Sequence, residues 1–304
     1  MKEFVIVGAG QAGGTAALQL RINGFEGGIT LVGSEPHPPY ERPPLSKAYL
    51  SGQLAYDSLL LRPAQLYVEQ GIKLLTDTTI GSIDAGAQQL LTTDQRSIQF
   101  DKLLLATGAR PRNLAIPGAE LAGVHYLRTL ADVEALKQTM GNARRVCLIG
   151  GGYVGLEFAS VATKAGLSVT VLESADRLLK RVTTDEMSQY FADLHHANGV
   201  KICCNAAISA LEGEGRVERV VCEHGEIDAD LVLIGIGAIP NTELAEAAGL
   251  LTSDVKLEEE IPYIKLRRHP WRTLKTKGSE RDIPLVGASL WAAKRVVENG
   301  RQFA

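Results

Sequence analysis

Apolar positions in the first part of the chain follow an order that is typical of a nucleotide-binding unit. The run Glu3–Val7 predicts a buried strand, Gly14–Ile22 a helix and Ile29–Val32 a second strand. A glycine loop, Gly8–Gly13, separates the first strand from the helix. The order of strand, glycine loop, helix and strand predicts a βαβ unit.

The same order recurs 142 residues later, counted from Gly8 to Gly150. Arg145–Ile149 and Val169–Leu172 predict strands, with a helix through Lys164 between them. One glycine-rich turn after a strand is weak evidence, because such turns are common. Two in full context argue against two tight turns in an unrelated α/β protein, and predict an α/β fold with two Rossmann-like dinucleotide-binding domains.

The glycines of such a loop have separate tasks. One makes the tight turn, the next lets the backbone approach a pyrophosphate, and the third lets helix and strand pack closely. The helix N-terminus presents unpaired N–H groups to the phosphates. Glu173 ends the second strand of the second copy, where a carboxylate suits a ribose diol and repels the extra phosphate of NADP. We therefore expect NADH to be preferred over NADPH.

Composition sets broad limits on the function. The 304 residues are 45% hydrophobic with a formal net charge of −3, which is enough for two cores and shows no bias towards nucleic acid. No apolar run has the length of a membrane span or the pattern of a signal peptide. The four cysteines form no CxxC and no zinc-site spacing. We expect a cytoplasmic protein without a metal site.

Three further segments resemble the ferredoxin, rubredoxin and putidaredoxin reductases. Pro39–Lys47 (PYERPPLSK) resembles their flavin-proximal loop, and Leu103–Pro111 their ATG motif, where the chain crosses from the FAD domain to the NAD domain. Leu233–Asn241 resembles the matching crossing back. The resemblance covers residues 1 to about 250 and implies FAD and NADH as cofactors.

The resemblance also implies which residues form the site. Glu157 would lie between nicotinamide and flavin and pair with Lys47, and these two are the expected catalytic residues. The expected cofactor-binding residues are Gly8, Gly10, Ala12, Gly13, Ser34, Glu35, Arg42, Lys47, Ile80, Ala106, Thr107, Gly108, Arg128, Gly150, Gly152, Tyr153, Val154, Gly155, Glu173 and Gly237. Taken alone, the proline-rich loop Pro36–Pro44 also fits a stiff surface connection, and Glu157 a solvated helix residue.

The reaction that the resemblance implies is hydride transfer from NADH to the flavin, followed by one-electron steps to a ferredoxin or rubredoxin partner. Disulfide reductases of related type need a CxxxxC on the helix after the flavin loop. Residues 1–146 contain no cysteine, so disulfide reduction is disfavoured.

The last part of the chain departs from this family. The FAD motif with the aspartate that holds the ribityl chain, and the interface domain after it, have no counterpart before Ala304. Residues 253–287 instead resemble the central β-hairpin of a phage integrase, a tyrosine recombinase, in which Lys275 or Lys277 would contact DNA. The recombinase catalytic residues have no counterpart, so a basic solvated hairpin and helix is favoured over DNA binding.

These features predict three parts. They are an FAD-binding domain without its closing segment (1–112), an NAD(P)H-binding domain (113–243), and a junction with a short β-hairpin and helix tail (244–304). We expect a truncated fusion in which FAD retention is weak and NADH binding survives. The alternative is a non-enzymatic NADH-binding remnant.

Overall fold

The computed structural model describes residues 2–249 and three short strands at 255–256, 263–266 and 281–284. The chain forms two compact units. The first unit contains the chain up to Glu41, Leu59–Ala109 and the chain from Pro240, and the second unit contains Arg42–Ser58 and Arg110–Ile239. The domain limits 1–112, 113–243 and 244–304 stay a prediction, from which these units differ by placing Arg42–Ser58 in the second unit.

The strands are, in chain order, β1 Glu3–Val7, β2 Gly28–Val32, β3 Ile72–Leu75, β4 Ile80–Asp84, β5 Gln89–Thr92, β6 Ser97–Gln99, β7 Lys102–Leu105, β8 Ala109–Pro111, β9 Val124–His125, β10 Arg145–Ile149, β11 Ser168–Leu172, β12 Lys201–Cys203, β13 Ile208–Glu212, β14 Arg219–Cys222, β15 Gly225–Asp228, β16 Leu231–Ile234, β17 Ala238–Pro240, β18 Val255–Lys256, β19 Tyr263–Leu266 and β20 Arg281–Pro284. The α-helices are α1 Gln11–Ile22, α2 Ala64–Glu69, α3 Leu130–Met140, α4 Tyr153–Lys164, α5 Asp185–Ala197 and α6 Glu243–Ala247. Pro43–Ser46 and Tyr56–Ser58 form short 3₁₀ helices.

The first unit is built on a parallel sheet in the order β3-β2-β1-β7. Its strands are apolar at nearly every position because both faces are covered, as is usual for parallel sheets. Helix α1 buries only small residues, Gly13, Gly14 and Ala17, so its backbone lies close to the sheet. An antiparallel sheet, β4-β5-β6, contributes Ile80 and Leu90 to a core with Val5 and Val7.

The second unit repeats this plan with one more strand, in the order β12-β11-β10-β16-β9, and adds the antiparallel sheet β13-β14-β15. Helix α4 packs Leu156, Phe158 and Ala159 into the core. Helix α3 begins at a capping box, in which the Thr129 side chain accepts from the Asp132 amide and the Asp132 carboxylate accepts from the Thr129 amide. The start of α3 is therefore fixed by two side-chain hydrogen bonds.

The predicted α/β fold with two Rossmann-like domains is confirmed, and β1 and β10 have the predicted bounds. Helix α1 begins at Gln11, earlier than the predicted Gly14, because the helix accommodates Gly13 and Gly14 at its buried face. Strands β2 and β11 each begin one residue earlier than predicted.

Strands β18, β19 and β20 pair antiparallel, in agreement with the predicted hairpin. The predicted helix of the tail lies outside the described residues, and so do Lys275 and Lys277 of the predicted hairpin. Within the part of the chain that the structure describes, no helix combines the length and apolar character that a bilayer crossing requires.

Candidate functional site

The three glycines of the first loop meet different surroundings. Gly8 has a φ of +115°, and a Cβ added there would lie 2.0 Å from the Ala106 carbonyl oxygen. A Cβ on Gly13 would lie 1.9 Å from the Gly8 oxygen. By contrast, a Cβ on Gly10 would meet no protein atom within 4 Å. The protein's own packing therefore requires the two outer glycines, and the middle one borders open space.

The second loop shows the same division. Gly150 has a φ of +109°, and its added Cβ would lie 2.6 Å from the Gly235 oxygen. A Cβ on Gly155 would lie 2.6 Å from the Gly150 oxygen, whereas for Gly152 the nearest atom is the Gly235 oxygen at 4.0 Å. In both loops the open side of the middle glycine faces the start of a helix, which is where a pyrophosphate binds. The residues present fit a dinucleotide in each unit.

The helix residues that follow the middle glycines are open to a ligand. Tyr153 and Val154 are 50% and 44% exposed at the start of α4, and Ala12 is exposed in the first turn of α1. Gly10 and Gly152 are the N-caps and supply no side-chain cap. The first amides of each helix are therefore left for a bound anion.

The predicted acidic residues are held in two different ways. The Glu173 carboxylate accepts from the Gly151 amide at 2.6 Å and from the Ala175 amide at 2.8 Å, which fixes it beside the second glycine loop. The Glu35 carboxylate accepts from the Tyr40 hydroxyl at 2.6 Å. Ser34, the neighbouring candidate, is exposed.

The ion pair that the resemblance implied is present within the second unit. Lys47 Nζ lies 2.7 Å from Glu157 Oε2, with the two side chains 48% and 29% exposed. The Ser46 hydroxyl donates to the same Oε2 at 2.6 Å. Lys47 Nζ also donates to the Pro43 carbonyl at 3.1 Å. The sequence interpretation missed Ser46, whose only signal is its place beside Lys47 in the proline-rich loop.

Residues 42–58, the segment that carries Lys47, are attached to α3 by Tyr49. The Tyr49 hydroxyl donates to Glu134 Oε1 at 2.8 Å, and Lys137 Nζ lies 3.1 Å from the same oxygen and 3.8 Å from the centre of the Tyr49 ring. Burial and the Glu134 carboxylate raise the pKa of Tyr49 to about 12, so it remains a donor. At the start of the segment, Arg42 donates to the Arg128 carbonyl at 2.6 Å.

The remaining predicted residues lie at or near the ends of strands. Ala106, Thr107 and Gly108 follow β7 directly, and Ile80 begins β4 as a buried residue. The Thr107 hydroxyl donates to the Asn241 carbonyl at 2.6 Å, and the Asn241 side-chain amide donates back to the Thr107 carbonyl at 2.8 Å. In the second unit, Gly237 follows β16 with a φ of +114°.

The predicted site residues therefore fall into two groups. Those that lie in the first unit are Gly8, Gly10, Ala12, Gly13, Ser34, Glu35, Ile80, Ala106, Thr107 and Gly108. Those in the second unit are Arg42, Lys47, Arg128, Gly150, Gly152, Tyr153, Val154, Gly155, Glu157, Glu173 and Gly237.

Two glycine loops of this geometry, each on its own parallel sheet, define a protein with two dinucleotide-binding domains. The profile of the pyridine nucleotide-disulphide oxidoreductase family matches residues 2–258. The chain belongs to this family.

Individual relatives narrow the comparison. Rhodocoxin reductase of Rhodococcus erythropolis is 46% identical over 249 residues, which cover 81% of this chain and 58% of the relative. Putidaredoxin reductase of Pseudomonas putida is 44% identical over 253 residues, covering 81% and 60%. The chain spans about three-fifths of the length of these curated relatives.

Solved structures give the same picture. A ferredoxin reductase from Rhodopseudomonas palustris matches with a TM-score of 0.79 and 43% identity, covering 82% of this chain and 62% of that one. The covalent putidaredoxin reductase–putidaredoxin complex matches with a TM-score of 0.80 and 35% identity, covering 99% and 76%.

Proposed function

We propose that this chain carries the dinucleotide-binding part of an NADH-dependent flavoprotein reductase that passes electrons through FAD to a small ferredoxin or rubredoxin. The observation that carries the proposal is the pair of glycine loops whose middle glycines face open space, one in each unit. Support also comes from the relatives, which are named as reductases of rhodocoxin and putidaredoxin. The four cysteines, all free, fit a cytoplasmic setting.

The first unit would hold FAD. The start of α1 meets the pyrophosphate, Ser34 or Glu35 meets the ribose, and Ile80 with Ala106, Thr107 and Gly108 lines the rest. When bound, FAD takes two electrons as a hydride and releases them singly, and the protein supplies position and electrostatics.

The second unit would hold NADH. The start of α4 meets the pyrophosphate, with Gly152 allowing close approach and Tyr153 and Val154 beside it. The Glu173 carboxylate accepts from the ribose hydroxyls and repels a 2′-phosphate. Gly237 would border the ligand from the carboxyl end of β16.

Lys47 and Glu157 would act as a pair at the reacting end of NADH. A lone carboxylate beside a neutral nicotinamide would be costly to bury, and the Lys47 ammonium offsets that cost. The pair therefore gives this part of the site a fixed arrangement of charge with little net charge. We propose that it orients the nicotinamide.

The test uses the full chain, purified and incubated with FAD. Retained yellow colour that NADH bleaches anaerobically, followed by NADH-dependent reduction of a ferredoxin or rubredoxin, is the expected result. Colourless protein whose fluorescence is quenched by NADH would support the alternative, an NADH-binding protein without reductase activity. Protein that binds neither dinucleotide would contradict both.

A further inference from the structure

We propose that Ser46 is a positioning residue that fixes the Glu157 carboxylate for the nicotinamide end of NADH. The proposal rests on the proposed function, because it takes NADH as the ligand of the second unit. It assigns a task to a side chain that neither the glycine loops nor the Lys47–Glu157 ion pair requires.

Two donors converge on one oxygen of Glu157. Ser46 Oγ lies 2.6 Å and Lys47 Nζ 2.7 Å from Oε2, which belongs to a side chain that is 29% exposed. In the described part of the chain, neither donor contacts Oε1. The carboxylate is thus held from one side, and its other oxygen is left to accept from a ligand.

The two donors differ in how firmly they hold the carboxylate. Lys47 is a long side chain, half exposed, and divides its ammonium between Glu157 and the Pro43 carbonyl. Ser46 is 5% exposed and ends the 3₁₀ helix Pro43–Ser46, whose prolines restrict the backbone. A serine has one side-chain torsion before its hydroxyl, so it sets direction, whereas the lysine supplies charge.

The position of Glu157 on α4 gives this orientation a use. Glu157 follows Tyr153 by four residues, so both side chains lie on one face, one turn apart. Tyr153 is the first residue of α4, directly after the middle glycine of the loop, and is half exposed. A carboxylate held one turn beyond the phosphate-binding helix start is therefore placed for a group next to the pyrophosphate of the same ligand.

The attachments of residues 42–58 to two helices support the same interpretation. Tyr49 and Glu134 attach this segment to α3, and Ser46 attaches it to α4 through Glu157. The segment that carries Ser46 is therefore held to α3 by Tyr49, independently of the hydrogen bond from Ser46 to Glu157. Removing the Ser46 hydroxyl should free the carboxylate without releasing the segment.

The experiment compares Ser46→Ala with the unaltered chain in binding NADH and ADP-ribose, which lacks the nicotinamide, by calorimetry. We expect NADH to bind about 3- to 10-fold more weakly, as for the loss of one hydrogen bond, and ADP-ribose to bind unchanged. Ser51→Ala is the matched control, because Ser51 is exposed in the same segment and its hydroxyl donates only to the Ala48 carbonyl at 3.2 Å. It should change neither affinity.

A second variant tests the route through Glu157. In a Glu157→Ala background, Ser46→Ala should have no further effect on NADH affinity, since the cycle isolates their coupling. Additive effects, equal weakening of both ligands, or no effect of Ser46→Ala would overturn the proposal. If Ser46→Ala lowers the melting temperature, Ser46→Cys keeps the size with a weaker donor and should weaken NADH alone.

These outcomes separate the inference from the function on which it rests. An unaltered chain that binds NADH, together with a Ser46→Ala variant that binds it equally well, sinks only the role of Ser46. An unaltered chain that binds no NADH sinks both.

Discussion

The two glycine-loop modules have the same backbone plan and differ at the residue that follows the second strand. In the second unit this residue is Glu173, whose carboxylate accepts from the Gly151 amide. In the first unit the matching residue is Gly33, where an added Cβ would lie 2.5 Å from the Ala9 Cβ. Under the proposed function, both loops would position phosphates, and Glu173 in the second unit would also select among ribose groups.

A second difference lies at the amino ends of β7 and β16, the strands that pair with β1 and β10. Asp230, just before β16, accepts from the Arg144 and Arg145 amides at 2.9 Å and from the Arg145 guanidinium at 2.7 Å. Asp101 stands in the same place before β7 and accepts from the Glu3 amide at 2.6 Å. Glu3 replaces Arg145 in this comparison, so the first unit has the amide contact without the ion pair.

The largest expected effect comes from filling the open side of one loop. Gly10→Val should lower FAD affinity by at least about 100-fold and leave NADH binding unchanged. The added side chain meets no protein atom and would occupy the space proposed for the pyrophosphate of FAD. Gly152→Val should do the reverse. Flavin absorbance and NADH titration of both variants check this. A melting temperature close to that of the unaltered chain shows that the fold survives.

The next largest effect is on stability and differs between Asp230 and Asp101. Hydrogen bonds from Arg145 lower the pKa of Asp230 to about 2. Its stabilisation is therefore complete above the unfolded pKa of about 4 and is lost as pH falls towards about 2. Asp230→Asn should cost about 2 kcal/mol at neutral pH. Hydrogen exchange in β10 and β16 measures this free energy.

The control for that prediction is Asp101→Asn in the first unit. It weakens one hydrogen bond from a backbone amide and breaks no ion pair. Its cost in free energy of unfolding at neutral pH should therefore be about 1 kcal/mol, as for one hydrogen bond. Equal costs for the two variants would show that the ion pair between Arg145 and Asp230 adds nothing to the stability of the second unit.

A third effect concerns the choice of nucleotide. Glu173→Ala removes the carboxylate that repels a 2′-phosphate, so the ratio of NADPH to NADH affinity should rise about tenfold. Titration of both nucleotides measures the ratio. Glu35→Ala, in the first unit, is the control and should leave the ratio unchanged. Tighter binding of NADPH than NADH by the unaltered chain would refute the assignment.

The smallest expected effect concerns the hydrogen bonds between Thr107, after β7, and Asn241, after β17. Thr107 and Asn241 exchange two hydrogen bonds in the first unit, whereas Ile236 occupies the matching position of Thr107 in the second. Thr107→Val should destabilise the first unit by about 1 kcal/mol. Thr107→Ser keeps the hydroxyl and should restore most of it. Urea unfolding compares the two variants.

The sequence was sufficient for features that depend on local pattern. Glu3–Val7 and Arg145–Ile149 were predicted as strands with their observed bounds, because an unbroken apolar run identifies a buried strand. The start of α1 was placed too late, since Gly13 and Gly14 are poor helix formers in isolation. Tertiary packing against the sheet offsets that cost.

Long-range contacts could not be derived in this way. The Lys47–Glu157 pair came from family resemblance, because no spacing rule connects a proline-rich loop with a helix so far along the chain. The Ser46 hydrogen bond and the Asp230–Arg145 contact were not predicted at all, because each needs the strand order before its partners are known to meet.

The membership of residues 42–58 in the second unit has a consequence for protein engineering. An NAD module cut at the predicted limits 113–243 would leave Ser46, Lys47 and Tyr49 behind and remove both described partners of the Glu157 carboxylate. A module that keeps these contacts would instead contain Arg42–Ser58 together with Arg110–Ile239. The second unit is encoded by two separate stretches of the gene. Exchange of a single continuous stretch by recombination would therefore divide it or carry part of the first unit with it.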